Sequence, residues 1–189
     1  MSREYSTFDI VKGLGIPRER LREWMTRGFV SPSIAEADGA GTKALFSRFD
    51  LYLVATFRQL IDEEGLNLPR IKASNILGEW QDKTKRLASQ LDDQQLKAAM
   101  SRCEVMIIQQ QGNEFKLFFE KASIELMRQD MLTKFSADFV DKELSKFDWV
   151  GERVEKPTSR NALQDWEWDS VLHINFKKIA ATVDAAFPC

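Results

Sequence analysis

Between Tyr5 and Val30 the apolar and polar positions follow the rhythm of two short helices joined by a glycine-containing turn. Ser6 followed by Asp9 has the form of a capping box, in which a hydroxyl and a carboxylate satisfy free amides of a first turn. Phe8 and Val11, with Ile10 near the same side, predict one buried face for the first helix. Gly13-Leu14-Gly15 predicts the break after it. Pro17 suits the first turn of the second helix, where amide hydrogens have no intrahelical partner anyway. There Leu21, Trp24 and Met25 fall on one side, and Arg18 and Arg22 stack one turn apart on another. The second helix therefore has an apolar back and a cationic front.

The next segment has two short extended arms, Ser33-Ile34-Ala35 and Lys43-Ala44-Leu45-Phe46, around the tip Asp38-Gly39-Ala40-Gly41-Thr42. That pattern predicts a β-hairpin. Ser47 and Asp50 form a second capping-box pair, opening a helix through about residue 64 with a core face of Leu51, Val54, Phe57, Leu60 and Ile61. Gly65 is expected to close it. Asn67 is expected to cap a short helix carrying Leu68, Ile71 and Ile76 to about residue 77. From 78 to 102 a sparser stripe of Trp80, Leu87 and Leu91 predicts helix, with a new cap near Asp92-Asp93. This stripe suits either packing on its own C-terminal domain or a seam between two copies. From Glu104 the pattern becomes strand-like: Val105 and Ile107, then Phe115-Leu117-Phe119, around the tight turn Gln111-Gly112-Asn113-Glu114. A helix with Ile124, Met127, Met131 and Phe135 follows, then a helical piece over 137–147, a loop over 148–165, a strand at 170–175 and a last helix over 176–187. The expected fold is α+β and mainly helical, with a small sheet in its second half.

The first 77 residues resemble the DNA-binding domain of the MerR family of bacterial transcription regulators. The family pattern, roughly Tyr-Ser-Ile-x-x-x-Ala-x-x-x-Gly-Val-x-x-x-x-Leu-Arg-x-Tyr-x-x-x-Gly-Leu, falls without a gap on Tyr5, Ser6, Gly15, Ile16, Leu21, Arg22, Trp24, Gly28 and Phe29. Phe46-Ser47-Arg48-Phe49-Asp50-Leu51 is similar to its Tyr-Ser-x-x-Asp-Leu block. Glu64-Gly65-Leu66-Asn67-Leu68-Pro69-Arg70-Ile71 is similar to its x-Gly-Phe-Ser-Leu-x-x-Ile block. The resemblance implies a winged helix-turn-helix, with the hairpin as its wing and Arg22 as a phosphate contact. Trp24 replaces an aromatic that in the family lies near the backbone. The family usually carries a phosphate-contacting arginine two residues before its conserved tyrosine; here Ala44 holds that register, and Lys43 beside it is the candidate.

Hydrophobic residues at 43% and charged residues at 30% describe an ordinary soluble globular chain. No stretch approaches the roughly 18 uncharged apolar residues of a membrane helix. Met-Ser-Arg-Glu-Tyr has no apolar run of a signal peptide, so a cytoplasmic protein is expected. A net charge of −2 supplies no global attraction to nucleic acid, and residues 1–30 hold six Lys/Arg against four Asp/Glu. DNA binding would then rest on a local face, doubled in a dimer.

Arg18, Arg20, Arg22, Trp24, Arg27 and Lys43 are the candidate DNA-binding residues, with Arg18 the candidate for reading a base. Glu19 and Glu23 interleave with the arginines, as a merely solvated helix face would also have it. There is no Cys-x-x-Cys for a metal, and the single His173 sits in an alternating strand; Cys103 and Cys189 read as a buried and a stray thiol. No phosphate loop and no Ser/His/Asp or Cys/His order is present, so neither an enzyme nor a cofactor is expected. Aromatics of the second half, with the Trp166-Glu167-Trp168 patch, suit a core, a partner surface or an effector pocket. The chain is thus expected to hold a winged-helix DNA-binding domain at 1–77, a helical connector or dimerisation segment at 78–102, and an α+β domain with a β-hairpin and C-terminal helix at 103–189. The favoured function is a homodimeric, sequence-specific regulator of transcription on double-stranded DNA, with a small-molecule effector conceivable. The alternatives are a phage-type accessory factor (excisionase or small terminase subunit) and a winged-helix protein-interaction module without DNA binding.

Overall fold

A computed structural model describes residues 3–36, 42–111, 114–146, 148–150 and 170–189. The fold is α+β and mainly helical. Contacts divide the chain into two compact units, residues 1–100 with 178–189, and residues 101–177. These divisions fall at 100 and 177, and the last helix belongs mostly with the first unit.

In the first unit, strand β1 (Tyr5–Ser6) leads into helix α1 (Thr7–Leu14), followed by α2 (Arg18–Thr26), strand β2 (Leu45–Phe46), α3 (Arg48–Ile61), α4 (Arg70–Ala88) and α5 (Asp93–Arg102). The Ser6–Asp9 and Ser47–Asp50 capping boxes are both formed, opening α1 and α3. Asp92 and Gln95 exchange side chain-to-backbone bonds of 2.9 Å where α5 begins. Burial in α1 falls on Ile10 and Leu14 rather than on Phe8 and Val11. These two are four residues apart on one stripe, which leaves Phe8 turned outward. Gly15 is the left-handed cap at φ 63°, whereas Gly13 stays helical. What Gly13 provides is space: a Cβ there would overlap the ring of Phe187.

Between 62 and 88 the structure departs from expectation. α3 ends at Ile61 with Asp62 as its cap, four residues before Gly65. Asn67 does not cap a helix; it stands at φ 49° in the connection, a conformation its short polar side chain tolerates. α4 is one helix of 19 residues that runs through position 78. Its Ala73, Ile76, Leu77, Trp80, Thr84 and Leu87 are buried, and Trp80 meets Phe49 of α3 edge-on at 5.4 Å. Part of the α4 stripe is therefore packed against α3.

The last helix, α8 (Phe176–Ala186), buries Ile179, Ala180, Val183 and the following Phe187. Phe187 stands edge-on to Tyr5 at 5.2 Å. Arg48, whose side chain has no exposed surface, binds Asp184 at 2.6 Å, the Phe187 carbonyl at 2.9 Å, and the Tyr5 and Tyr52 hydroxyls at 3.4 Å each. Tyr52 in turn donates to Asp184 at 2.7 Å, and Tyr5 to Asp93 at 3.3 Å. Burial alone would lower the Arg48 pKa, but its bonds to Tyr52 and Asp184 carry the net shift upward. Burial, then the Asp184 bond, raises the Tyr52 pKa. One guanidinium thereby joins β1, α3 and α8.

The second unit contains strand β3 (Val105–Gln111), β4 (Glu114–Glu120), helices α6 (Lys121–Leu132) and α7 (Ala137–Leu144), β5 (Asp148–Val150) and β6 (Ser170–Asn175). The sheet order is β5-β4-β3-β6, with β3 antiparallel to β4 and β6, and β4 parallel to β5. β5 corrects the reading of 148–150 as loop; a three-residue edge strand is too short for its alternation to register. The turn at 112–113, Phe147, the rest of the expected loop and the Trp166-Glu167-Trp168 patch lie outside the described residues.

Two stability outcomes follow from the Arg48 cluster and its neighbour. Asp184→Ala should cost about 3 kcal/mol in urea unfolding, because it strands a buried guanidinium, while Arg48→Met with Asp184→Leu should recover most of that loss. A single-substitution cost below about 1 kcal/mol would remove the ion pair from its structural role. Gly13→Ala should lose about 1–3 kcal/mol by overpacking against Phe187. In a Phe187→Ala background the same change should instead gain about 1 kcal/mol, the ordinary helix preference for alanine.

Candidate nucleic-acid interface

Pro17 precedes α2 at φ −55° and ψ 136° and lets the helix start at once on Arg18. Leu21 and Trp24 then anchor it, with Trp24 edge-on to Phe57 of α3 at 5.0 Å. With that back fixed, Arg18, Arg22 and Met25 follow one another at i, i+4 and i+7 on the opposite side. They line a concave surface of about 790 Å³ together with Glu4, Phe8 and Asp9 near the start of α1, and with Thr42 and Lys43. Met25, expected with the apolar back, sits half-buried on this cationic front.

Two helix caps place the hairpin arms. The Ser33 amide and hydroxyl donate to Asp50 at 3.0 and 2.6 Å, so the carboxylate that caps α3 also holds the first arm. The second arm pairs as β2 with β1, Tyr5 opposite Phe46 and Ser6 opposite Leu45. The two arms meet in a bridge between Ala35 and Leu45. Residues 37–41, with the glycines of the expected tip, lie outside the described residues.

The six expected cations and aromatics separate into two groups. Arg18, Arg22 and Lys43 are exposed, line the concavity, and make no ion pair among the described residues. Arg20 turns the other way, pairing with Asp62 at 2.7 Å and stacking 5.4 Å over the Trp24 ring. Trp24 is 0% exposed, so its ring packs and reaches no ligand. Arg27 is held by Glu23 at 3.3 Å, and Arg70 reaches the same carboxylate at 3.6 Å. Ala44, at the register of the family's wing arginine, is buried, and Lys43 next to it is exposed at the concavity.

The electrostatics of the concavity are locally favourable to an anion. Asp9 is engaged by the Ser6 hydroxyl at 2.6 Å and amide at 2.8 Å, and those bonds hold its carboxyl below the usual carboxylate range. Its charge is shared between the α1 cap and Lys43, while the guanidiniums of Arg18 and Arg22 have no ion pair among the described residues. Unpaired guanidiniums on a concave face are suited to phosphate oxygens and to the acceptor edge of guanine.

Sequence reasoning missed Phe8. Its helical spacing to Val11 looked like a core stripe, but it is 71% exposed on this face. Among the described residues, no group of three or more His, Cys, Asp or Glu side chains is placed to hold a metal ion. Cys103 is buried against Met127, its sulfur 3.7 Å from the thioether, and burial pushes its thiol pKa up to about 12. That environment favours an inert thiol over a redox sensor.

Compared with known proteins, residues 5–74 match the family model described as MerR HTH family regulatory protein. No curated protein matches the chain. The matched span covers β1 through the first turn of α4, including both capping boxes, α2 and the hairpin arms. Residues 5–74 form a helix-turn-helix domain of the MerR type.

Proposed function

We propose that the chain is a sequence-specific regulator of transcription that binds double-stranded DNA through the concave face of α1, α2 and the hairpin. The observation that carries this reading is the line-up of Arg18, Arg22 and Lys43, free of ion pairs among the described residues, around one concavity of a MerR-type domain. In this arrangement α2 enters the major groove, Arg18 near its start reads a guanine edge, and Arg22 and Lys43 anchor flanking phosphates. Arg20 and Trp24 serve the position of α2 rather than the contact. Arg27, still 60% exposed beside Glu23, is available to a more distant phosphate. Two copies would read a pseudo-palindrome with two such helices. The sheet unit at 101–177 is the part free for pairing or for sensing an effector. No helix among the described residues is long and apolar enough to cross a membrane; a cytoplasmic location belongs to this proposal.

The net charge of −2 gives the protein-interaction reading its support. A salt titration decides between the two. Binding to duplex that weakens steeply with salt fits phosphate anchoring, and no binding at low salt fits an interaction module. Selection from random DNA separates a regulator, which should return an inverted repeat, from a phage-type accessory factor, which should return clustered direct repeats.

Arg18→Ala and Arg22→Ala should each weaken duplex binding by about 1–3 kcal/mol, and Arg22→Ala should lower the salt slope by about one. Arg20→Ala should leave that slope unchanged and cost at most about 1 kcal/mol of stability, since it loses a partly exposed ion pair and a cation–π contact. Wild-type binding by both Arg18→Ala and Arg22→Ala would discard the interface.

A further inference from the structure

Phe8 occupies the second position of α1 and is 71% exposed, more than any other large hydrophobic side chain among the described residues. The interior does not need it, because Ile10 and Leu14 already fill the buried stripe of α1. A phenyl ring left in water forgoes the stabilisation that covering it would supply, so its placement asks for a partner. That partner must also suit the neighbours on the same concavity, Arg18, Arg22 and Lys43, none of which has an ion pair among the described residues. A second copy docked symmetrically here would set three cations against three, with only Glu4 and Asp9 on each side to offset them, which leaves a net repulsion. An apolar protein surface would strip water from the same cations without replacing it. A nucleic-acid strand satisfies both requirements at once, since it offers phosphates to the arginines and apolar carbon surface between them.

We propose that Phe8 is a DNA-contacting residue whose ring lies against apolar surface of a duplex strand, either a thymine 5-methyl group or the C–H face of a deoxyribose. This rests on the DNA-binding reading and adds to it a contact that carries no charge. While the arginines supply salt-dependent attraction, Phe8 supplies a salt-independent one and fixes how closely α1 approaches the strand. If a thymine methyl is the contact, Phe8 also adds sequence preference at the edge of the site. Ser6 and Asp9 hold the first turn on which Phe8 stands, so the ring is presented from a capped helix rather than from a loop.

The test uses the full chain, its selected duplex, and Phe8→Ala and Phe8→Leu across a salt series, with Arg22→Ala for comparison. Phe8→Ala should weaken binding about tenfold at every salt concentration, with an unchanged slope of log affinity against log salt. Phe8→Leu should recover part of that loss, and Arg22→Ala should lower the slope by about one. Replacing the thymines of the site with deoxyuridine separates the two sources. A loss seen with the unaltered chain and absent in Phe8→Ala assigns the ring to a methyl group, and no loss in either assigns it to deoxyribose. Equal affinities of Phe8→Ala and the unaltered chain would overturn the proposal while leaving the DNA-binding reading intact. Unchanged DNA binding with an altered mass by light scattering would overturn it too, in favour of a second copy. Failure of the unaltered chain to bind any duplex at low salt would remove both readings together.

Discussion

The guanidinium of Arg48 is the constraint on which the first unit depends. A cation with no exposed surface is tolerable only where its donors are met, and here a carboxylate, a carbonyl and two hydroxyls meet them. Those acceptors come from β1, α3 and the end of α8, the last more than a hundred residues from Arg48 along the chain. Hydrophobic contact alone would let α8 slide; the direction of the Arg48–Asp184 bond and the fit of Phe187 on Gly13 fix its register. Since α8 follows the sheet unit in sequence and Arg48 opens α3, the ends of the chain are joined within one core.

The same economy places the cationic face. Asp50 caps α3 and holds Ser33 of the hairpin, and Ser6 caps α1 while its strand pairs with the returning arm. α2 is held from behind by Leu21 and Trp24 and from the side by Arg20 on Asp62. Asp62 also takes Arg58 at 3.0 Å, so the end of α3 is tied both to itself and to α2. With its polar groups so employed, the unit leaves Arg18, Arg22 and Lys43 without an ion pair among the described residues. Stability and availability are thus divided residue by residue on a single nine-residue helix.

Much of this was legible in the sequence, because it is written in local rules. Capping boxes are short-range patterns of residue type, and both formed as read. The strand at 170–175 and the helix after it agree closely with the elements found, whereas the helical piece expected over 137–147 ends at Leu144. What failed depended on distant partners. Gly13 looked like a breaker because nothing nearby announces that Phe187 will need its space. Arg48 sits at a position the family pattern leaves open, and its partner Asp184 lies 136 residues away. Phe8 and Arg20 carried the residue types of a core and of a DNA contact, yet the Ile10 and Leu14 stripe leaves Phe8 exposed and Asp62 pairs with Arg20.

The central claim is that the concavity of α1, α2 and the hairpin arm receives a duplex on a unit whose core is closed by α8. Amide hydrogen exchange of the full chain, with and without its selected duplex, tests it most directly. The account predicts DNA-dependent protection concentrated in residues 6–11, 18–25 and 42–45, with α8 equally protected in both states. Protection that leaves 18–25 unchanged, or that falls instead on the Asp62 side of α2 or on residues 101–177, would contradict it.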